Sequence, residues 1–254
     1  MPEMDDGARS MEEALEMARI AADDGIEYMV STPHMFNGLS NNPEPSEILQ
    51  RVAALNEAIN NSAKIRILPG NEVHVSHEIA RQAKSNRVTK INQQNYMLVE
   101  FPQLTVPIGA DELFYQLLLQ GIHPILVHPE RNGQIQTRPS IVAQYVERGV
   151  FVQVTAMSVT GEFGPEAKKT ADILLRHHCV HFLATDCHRP NRRPPILSRG
   201  RDAAAAIIGQ EHARALVEDN PRAVIDGKPL QVVSPLPFGS SGKPKRSFFS
   251  RFFG

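Results

Sequence analysis

Short apolar segments alternate with segments of helical periodicity along most of this sequence, and this alternation constrains the fold more than any other feature. We predict six strands, at residues 28–32, 65–68, 96–99, 123–127, 150–154 and 180–184. Because the links between strands and helices are short, the pattern favours parallel β/α units over an antiparallel sheet. A chain of 254 residues suits one large α/β domain or two small ones, with an ample core.

Side chains that bind metal ions follow five of these predicted strands. The candidates are His34, Glu72, Glu100, His128, Asp186 and His188. In a β/α barrel the carboxyl ends of all strands open on one mouth, so these side chains would converge despite their separation in sequence. With Asp6 they form a mixed nitrogen and oxygen set that suits Mn²⁺, Fe or Zn²⁺. Taken alone, each also fits a structural role, such as helix capping by Asp6.

Two arginines close to these candidate ligands predict an anionic substrate. Arg131 ends the motif His-Pro-Glu-Arg at 128–131, and Arg193 lies in the Pro- and Arg-rich segment 189–195. A guanidinium group binds phosphate through two parallel hydrogen bonds, so the pair suits a phosphate group. A solvated basic loop is the alternative, and it applies most to Arg192.

Composition narrows the classes of partner and compartment. The formal net charge is −1, so no global basic field points to nucleic acid. No apolar run approaches the roughly 20 residues that span a bilayer, and we expect no signal peptide. The two cysteines, Cys179 and Cys187, make no disulfide framework. We therefore expect a cytoplasmic protein that does not bind nucleic acid.

Ordered motifs along the chain resemble a known family. They are Asp-Asp-Gly-Ala at 5–8, Thr-Pro-His at 32–34, Gly-Asn-Glu at 70–72, Glu-Phe-Pro at 100–102, His-Pro-Glu-Arg at 128–131, Thr-Asp-Cys-His at 185–188, Arg-Arg-Pro-Pro at 192–195 and Asp-Asn-Pro-Arg at 219–222. This set resembles the PHP-type (polymerase and histidinol phosphatase) metal-dependent protein-tyrosine phosphatases of bacterial capsule and exopolysaccharide systems. The resemblance covers residues 4 to about 230.

The resemblance implies a distorted seven-stranded (β/α) barrel, the PHP fold, with two to three divalent ions, usually Mn²⁺, and with Fe or Zn as alternatives. The motif positions imply three groups of metal ligands: Asp6, His34 and His188; Glu72, Glu100 and His128; and Glu72 with Asp186, shared with a third ion. Arg131 and Arg193 would be the catalytic residues that hold the phosphate. The implied function is hydrolysis of phosphotyrosine on the tail of a membrane-bound tyrosine autokinase that controls capsule or exopolysaccharide synthesis.

One departure from the family's pattern concerns its first strand. The family opens with a strand bearing a His-x-His pair shortly before Asp-Asp-Gly, whereas this sequence begins Met-Pro-Glu-Met-Asp. We therefore expect the first strand and two imidazole ligands to be missing, which accounts for six predicted strands in place of seven. We hypothesise that the natural reading frame starts upstream. A chain extended by that strand should bind more metal, be more stable and turn over faster.

Three alternative functions stay open at this point. Cys187 and Arg193 have the C-x₅-R spacing of a cysteine phosphatase, although Pro190 removes a backbone donor and no glycine relaxes the turn. A small phosphate ester such as histidinol phosphate is a second substrate class for the same fold. A metal-poor, non-catalytic scaffold that binds the kinase is the third alternative.

The end of the chain differs from the rest in composition. We predict a phosphatase domain at 1–230 and, at 231–254, a flexible linker of Pro, Gly and Ser followed by a basic, aromatic tail. The tail at 243–254 holds four basic residues and two Phe-Phe pairs, which suits an anionic membrane surface or a partner groove. A disordered tail is the alternative. We hypothesise that the tail brings the enzyme to its kinase at the inner face of the membrane.

Overall fold

Eight parallel strands occur in the part of the chain that this computed structural model describes, which is residues 1–38, 42–60 and 62–238. They are β1 (Tyr28–Ser31), β2 (His34–Met35), β3 (Arg66–Pro69), β4 (Glu72–His74), β5 (Tyr96–Glu100), β6 (His123–Val127), β7 (Phe151–Thr155) and β8 (Phe182–Ala184). All six predicted strands are present. The two short strands β2 and β4 were not predicted, because Pro33 and Gly70 precede them and interrupt the apolar pattern.

The strands form a six-stranded sheet in the order β2-β4-β5-β6-β7-β8 and a separate pair, β1-β3. Since β2 continues β1 and β4 continues β3, the pair extends the first two strands of the larger sheet. His34 stands opposite Glu72 in this register, and Glu72 stands opposite Leu98. The predicted parallel α/β class is therefore confirmed, whereas closure into a seven-stranded barrel stays a prediction.

Helices alternate with most of the strands and pack against the sheet. Those of the described residues are α1 (Met11–Asp23), α2 (Pro45–Ile59), α3 (Ile79–Lys84), α4 (Ala110–Leu119), α5 (Gly133–Thr137), α6 (Ser140–Glu147), α7 (Ala156–Thr160), α8 (Pro165–Arg176), α9 (Ser198–Ile208), α10 (Gln210–Val217) and α11 (Asp219–Ile225), with 3₁₀ turns at Ile91–Gln93 and Pro129–Arg131. None of them is long and apolar enough to cross a bilayer.

Both faces of the central strands are buried. In β5, Met97 and Val99 pack into the main core with the helices, whereas Tyr96 and Leu98 pack on the opposite face with Val224 of α11. Successive side chains of a strand point to opposite faces. A strand that is buried on both faces has a nearly continuous run of apolar residues, and such runs located these strands in the sequence.

The segment after α11 contacts the body of the protein as far as it is described. The backbone N–H of Leu236 donates to the carbonyl of His177 at 2.9 Å, and the ring of Phe238 stacks on the His177 ring at 4.0 Å. The predicted boundary at residue 230 stays a prediction. The predicted basic, aromatic tail at 243–254 lies outside the described residues.

Candidate metal centre

Three predicted ligands, Glu72, Glu100 and His128, lie together where neighbouring strands end, and we call them the buried cluster. Nε2 of His128 is 2.9 Å from Oε1 of Glu72 and 3.7 Å from Oε1 of Glu100. Glu72 lies just beyond the end of β3, where its short continuation β4 begins; Glu100 ends β5 and His128 follows β6. Parallel strands bring their carboxyl ends to one edge of a sheet, so this clustering follows from the order β4-β5-β6.

A second group, which we call the rim cluster, consists of Asp5, Asp6, His34 and His188. Oδ2 of Asp5 accepts a hydrogen bond from the backbone N–H of His34 at 2.7 Å and lies 2.5 Å from Nδ1 of the same residue. Oδ2 of Asp6 is 3.2 Å from Nε2 of His188. The amino-terminal segment therefore lies between His34, which Asp5 contacts, and the loop after β8, which Asp6 contacts.

The two clusters adjoin each other through His34. Its Nε2 atom is 3.9 Å from Oε1 of Glu72. Two sets of potential ligand atoms each lie within 4.8 Å of one another: Asp5, Asp6 and His34, and His34, Glu72 and Glu100. Atoms at such separations can reach one ion, since metal–ligand bonds to nitrogen and oxygen are about 2.0–2.2 Å long. Carboxylates and imidazoles without a thiolate suit Mn²⁺, Fe or Zn²⁺, so the residues fit a divalent ion.

Ion pairing favours the charged forms of four residues when no metal competes: Asp5, His34, Glu72 and His128. Burial disfavours the charge on Asp5, but its hydrogen bonds with His34 outweigh this and lower the pKa of Asp5 to about 2. The same contact raises the pKa of His34 to about 9. In the buried cluster, the attraction to Glu72 outweighs burial and raises the pKa of His128, while the pKa of Glu72 is lowered. Metal binding at these residues would therefore release protons.

Three residues of the site region have strained backbone conformations. His128, Asp186 and Arg193 all adopt positive φ angles, of 35°, 50° and 61°. Residues with a Cβ atom adopt this region at a cost, and the surrounding structure must hold them there. At His128 the strain coincides with the abrupt change from β6 to the 3₁₀ turn at Pro129–Arg131.

The two predicted phosphate-binding arginines meet on Asp186. Nη1 of Arg131 is 2.6 Å from Oδ2 of Asp186, and Nη2 of Arg193 donates to the same oxygen. Nη1 of Arg193 also lies 3.0 Å from Nε2 of His188. Asp186, predicted as a shared metal ligand, is thus engaged by two guanidinium groups in this structure. Nε of Arg193 is buried and has no hydrogen-bond partner among the described residues, so it is available to an anionic oxygen.

A cavity of about 760 Å³ adjoins the rim cluster, and residues of both β1 and β8 line it. These two strands are not paired with each other among the described residues. Ser31 of β1, which lines the cavity, has a buried hydroxyl without a hydrogen-bond partner in the same part of the chain. The hypothesis of an additional upstream strand stays a prediction.

Sequence reasoning missed three residues that support the clusters. Asp5 holds His34, and Nδ1 of His74 lies 3.3 Å from Oε2 of Glu100. Glu130 is fully buried, and its Oε1 atom accepts hydrogen bonds from Ser158 Oγ at 2.6 Å and from the Thr155 N–H at 3.1 Å. A carboxylate that orients a ligating histidine is common at metal sites. Asp5 and Glu130 stand inside the motifs of the family, but the motif at 5–8 does not indicate that Asp5, rather than Asp6, holds His34.

The cysteine alternative does not agree with the environment of Cys187. Its side chain packs against the apolar cluster of α1, α2 and the amino-terminal segment. Burial raises the pKa of its thiol. A nucleophilic cysteine requires a lowered pKa, so this thiol lacks the activation that such a mechanism needs.

Comparison with known proteins places the chain in a family. Residues 1–226 match the family described as capsular polysaccharide synthesis, CpsB/CapC. The chain is 36% identical over 194 residues to tyrosine-protein phosphatase YwqE of Bacillus subtilis, covering 76% of each protein. It is 32% identical over 202 residues to the putative tyrosine-protein phosphatase CapC of Staphylococcus aureus, covering 78% of this chain and 77% of CapC.

A solved structure is also similar to this fold. It is one of the crystal structures described for YwqE from Bacillus subtilis and CpsB from Streptococcus pneumoniae, unique metal-dependent tyrosine phosphatases. The TM-score is 0.88 at 32% sequence identity, and the match covers 93% of this chain and 96% of the other. The family resemblance predicted from the ordered motifs is thereby confirmed. This chain belongs to the CpsB/CapC family of capsular polysaccharide synthesis.

Proposed function

We propose that this protein is a metal-dependent protein-tyrosine phosphatase of capsule or exopolysaccharide synthesis. One observation carries the proposal: two arginines from different loops meet on Asp186 beside a mouth lined by carboxylates and imidazoles. Guanidinium groups bind phosphate bidentately, and the adjoining ligands suit divalent ions that promote hydrolysis. YwqE, CapC and CpsB are named as tyrosine-protein phosphatases, CapC putatively, which supports phosphotyrosine as the group that is hydrolysed.

The proposed ligands are those implied by the motifs, on a barrel of the PHP type. Asp6, His34 and His188 would hold one ion; Glu72, Glu100 and His128 a second; and Glu72 with Asp186 would take part in a third. We propose Mn²⁺, at two to three ions per chain, with Fe or Zn²⁺ as alternatives. When bound, such ions neutralise negative charge on the phosphoryl group and lower the pKa of coordinated water.

The chain's own residues prepare the site for a phosphate group. Asp5 engages Nδ1 of His34 and so fixes the orientation of the ring, whose Nε2 atom lies 3.9 Å from Oε1 of Glu72. A phosphate group at this site would compete with Asp186 for Arg131 and Arg193, because it would need the guanidinium N–H groups that now donate to the Asp186 carboxylate. Substrate binding would then free the Asp186 carboxylate from the two arginines, so that it could serve as the metal ligand proposed above.

The natural substrate that we propose is the phosphotyrosine tail of a membrane-bound tyrosine kinase. Membership of a capsular polysaccharide synthesis family supports this choice. We also propose that the enzyme works at the inner face of the membrane, with the tail at 243–254 providing the peripheral contact. Lipid co-sedimentation and kinase pull-down that are both unchanged on deletion of residues 240–254 would contradict this role of the tail.

The decisive experiment for the function is an assay on a phosphotyrosine peptide beside histidinol phosphate, after chelation and after adding Mn²⁺ back. We expect activity on the peptide that chelation abolishes and Mn²⁺ restores. Asp186→Ala should be inactive, whereas Cys187→Ser, the matched control next in sequence, should keep most activity. A preference for histidinol phosphate would favour the small-ester alternative. No turnover with Mn²⁺ bound would favour the scaffold.

A further inference from the structure

A half-buried aromatic residue, Phe163, contacts both predicted phosphate-binding arginines. The guanidinium carbon of Arg131 lies 4.8 Å from the centroid of the Phe163 ring, and that of Arg193 lies 5.4 Å from it. Both distances are within the range of cation–π attraction, which extends to about 6 Å. One neutral ring therefore contacts two cations that come from different loops of the chain.

The loop that carries Phe163 has a defined conformation. It lies between α7 and α8, and Gly161 and Gly164 on either side both have a φ of 93°, a region that favours glycine. The backbone N–H groups of Glu162 and Phe163 donate to the carbonyl of Met157, at 2.8 Å and 3.3 Å. These bonds fix the backbone at Phe163 relative to α7.

A buried hydrogen bond joins α7 to the turn that carries Arg131. Ser158 of α7 donates its hydroxyl to Oε1 of Glu130, the residue before Arg131, at 2.6 Å. Gln136 also donates to the carbonyl of Glu130 at 2.9 Å. The ring and Arg131 are thus attached to one framework, so the ring's position sets where the guanidinium group lies.

The ring also faces the metal centre. Phe163 lines a cavity of about 210 Å³ together with Glu100 and His128 of the buried cluster and with Arg131. Asp186 is at present the anion that draws the two arginines together. A metal ion that took Asp186 would remove that contact, and before phosphate bound the two guanidinium groups would repel each other. The Phe163 ring is a contact that does not depend on Asp186.

We propose that Phe163 is a positioning residue, whose ring holds Arg131 and Arg193 side by side so that both bind one phosphate group. The inference rests on the proposed function for its substrate, but it concerns the binding of phosphate itself. Loss of the ring should weaken phosphate binding and leave the metal ligands in place. Tyrosine offers the same ring face and should preserve the effect, whereas leucine fills part of the volume without a π-system.

The test compares Phe163→Leu, Phe163→Tyr and wild-type protein, each loaded with Mn²⁺. Tyr115→Leu, which removes an exposed aromatic ring from α4, is the matched control. Titration calorimetry with inorganic phosphate gives a readout that does not require turnover. We expect Phe163→Leu to bind phosphate about 5- to 20-fold more weakly, with Mn²⁺ content and melting temperature unchanged. Phe163→Tyr and Tyr115→Leu should each stay within about twofold of wild type.

A double-mutant cycle shows whether Phe163 acts through the arginines. In an Arg131→Gln background, the effect of Phe163→Leu on phosphate affinity should shrink to less than half, because part of the shared contact is already gone. Equal phosphate affinity in Phe163→Leu and wild type would overturn the inference, and so would an equal loss in Phe163→Tyr. If wild-type protein binds phosphate but does not hydrolyse phosphotyrosine, the proposed function fails, while the loss in Phe163→Leu still supports the role of Phe163.

Discussion

The buried cluster and the rim cluster carry similar side chains but are built differently. Glu72 stands on β4 and His128 directly follows β6, two strands of the six-stranded sheet, and their side chains are 8% and 11% exposed. Asp6 of the rim cluster stands in an amino-terminal segment without helix or strand, and its side chain is 61% exposed. The sheet therefore fixes the positions of the buried cluster, whereas local hydrogen bonds fix those of the rim cluster.

The difference has an electrostatic consequence. Charges in the buried cluster are screened little, so each member depends on its partners for compensation. At the rim, solvent screens Asp6, and the strongest local bond is the one between Asp5 and His34. We therefore expect the buried cluster to dominate stability, and the rim cluster to tune how ligands are oriented.

The largest effect should come from removing the imidazole of the buried cluster. His128→Ala leaves the Glu72 carboxylate buried without its nearest partner, which costs about 3–5 kcal/mol. Urea unfolding of the chelated protein measures this loss. Glu72→Gln in the same background should recover part of it, because the uncompensated charge is gone. Phosphatase activity of His128→Ala should fall at least about 100-fold.

Asp6→Asn is the matched change at the rim. Its exposed carboxylate should contribute less than about 1 kcal/mol to the stability of the chelated protein. A loss as large as that of His128→Ala would contradict the distinction between the two clusters.

A second prediction concerns Asp5, which orients the predicted ligand His34. Asp5→Asn removes the charge that holds His34, and metal affinity should fall about 10- to 100-fold. NMR titration of the chelated protein should show the pKa of His34 falling from about 9 toward its ordinary value of 6.5. Because the pKa of His34 is raised in the folded state, its contribution to stability is present below pH 6.5 and is lost as the pH rises through about 9. A stability profile of Asp5→Asn that keeps the wild-type slope between these values would refute the role of Asp5.

Sequence reasoning located six of the eight strands in the described part of the chain and the proximity of Glu72, Glu100 and His128, whose role as metal ligands stays a prediction. Continuous apolar runs such as 123–127 mark strands buried on both faces, and parallel order then brings Glu72, Glu100 and His128 together. Tertiary choices were not predictable in the same way. Which acid of Asp5 and Asp6 contacts His34 depends on the path of a segment without regular structure, and the contact of Phe163 with both arginines depends on three separate loops.

A third prediction concerns the packing that holds α7 in place. A Cβ atom added at Gly200 of α9 would lie 2.8 Å from the Cα atom of Ala156, the first residue of α7. Because backbone cannot move aside cheaply, Gly200→Ala should destabilise the protein by about 1–3 kcal/mol. Thermal unfolding measures this loss, with Ala206→Ser, at an exposed position of the same helix, as the control. Since α7 precedes the Phe163 loop, phosphate affinity should fall as well, which links the outer layer of the fold to the mouth.

The smallest effect should come from a histidine that belongs to neither cluster. His181 is buried, its Nδ1 atom accepts a hydrogen bond from the Val152 N–H at 3.1 Å, and burial lowers its pKa to about 4. A histidine with a depressed folded-state pKa stabilises the fold above its ordinary value of 6.5, and this contribution is lost as the pH falls toward about 4. Between pH 7 and 5.5 the loss should be about 1 kcal/mol, measured by urea unfolding of the chelated protein. His181→Asn keeps an acceptor for Val152 but does not titrate, so its profile should be flatter over this interval. If the stability of wild type and of His181→Asn fell equally between pH 7 and 5.5, His181 would not be the source of the acid sensitivity. The loss of stability in acid would then have to come from the buried cluster and the rim cluster.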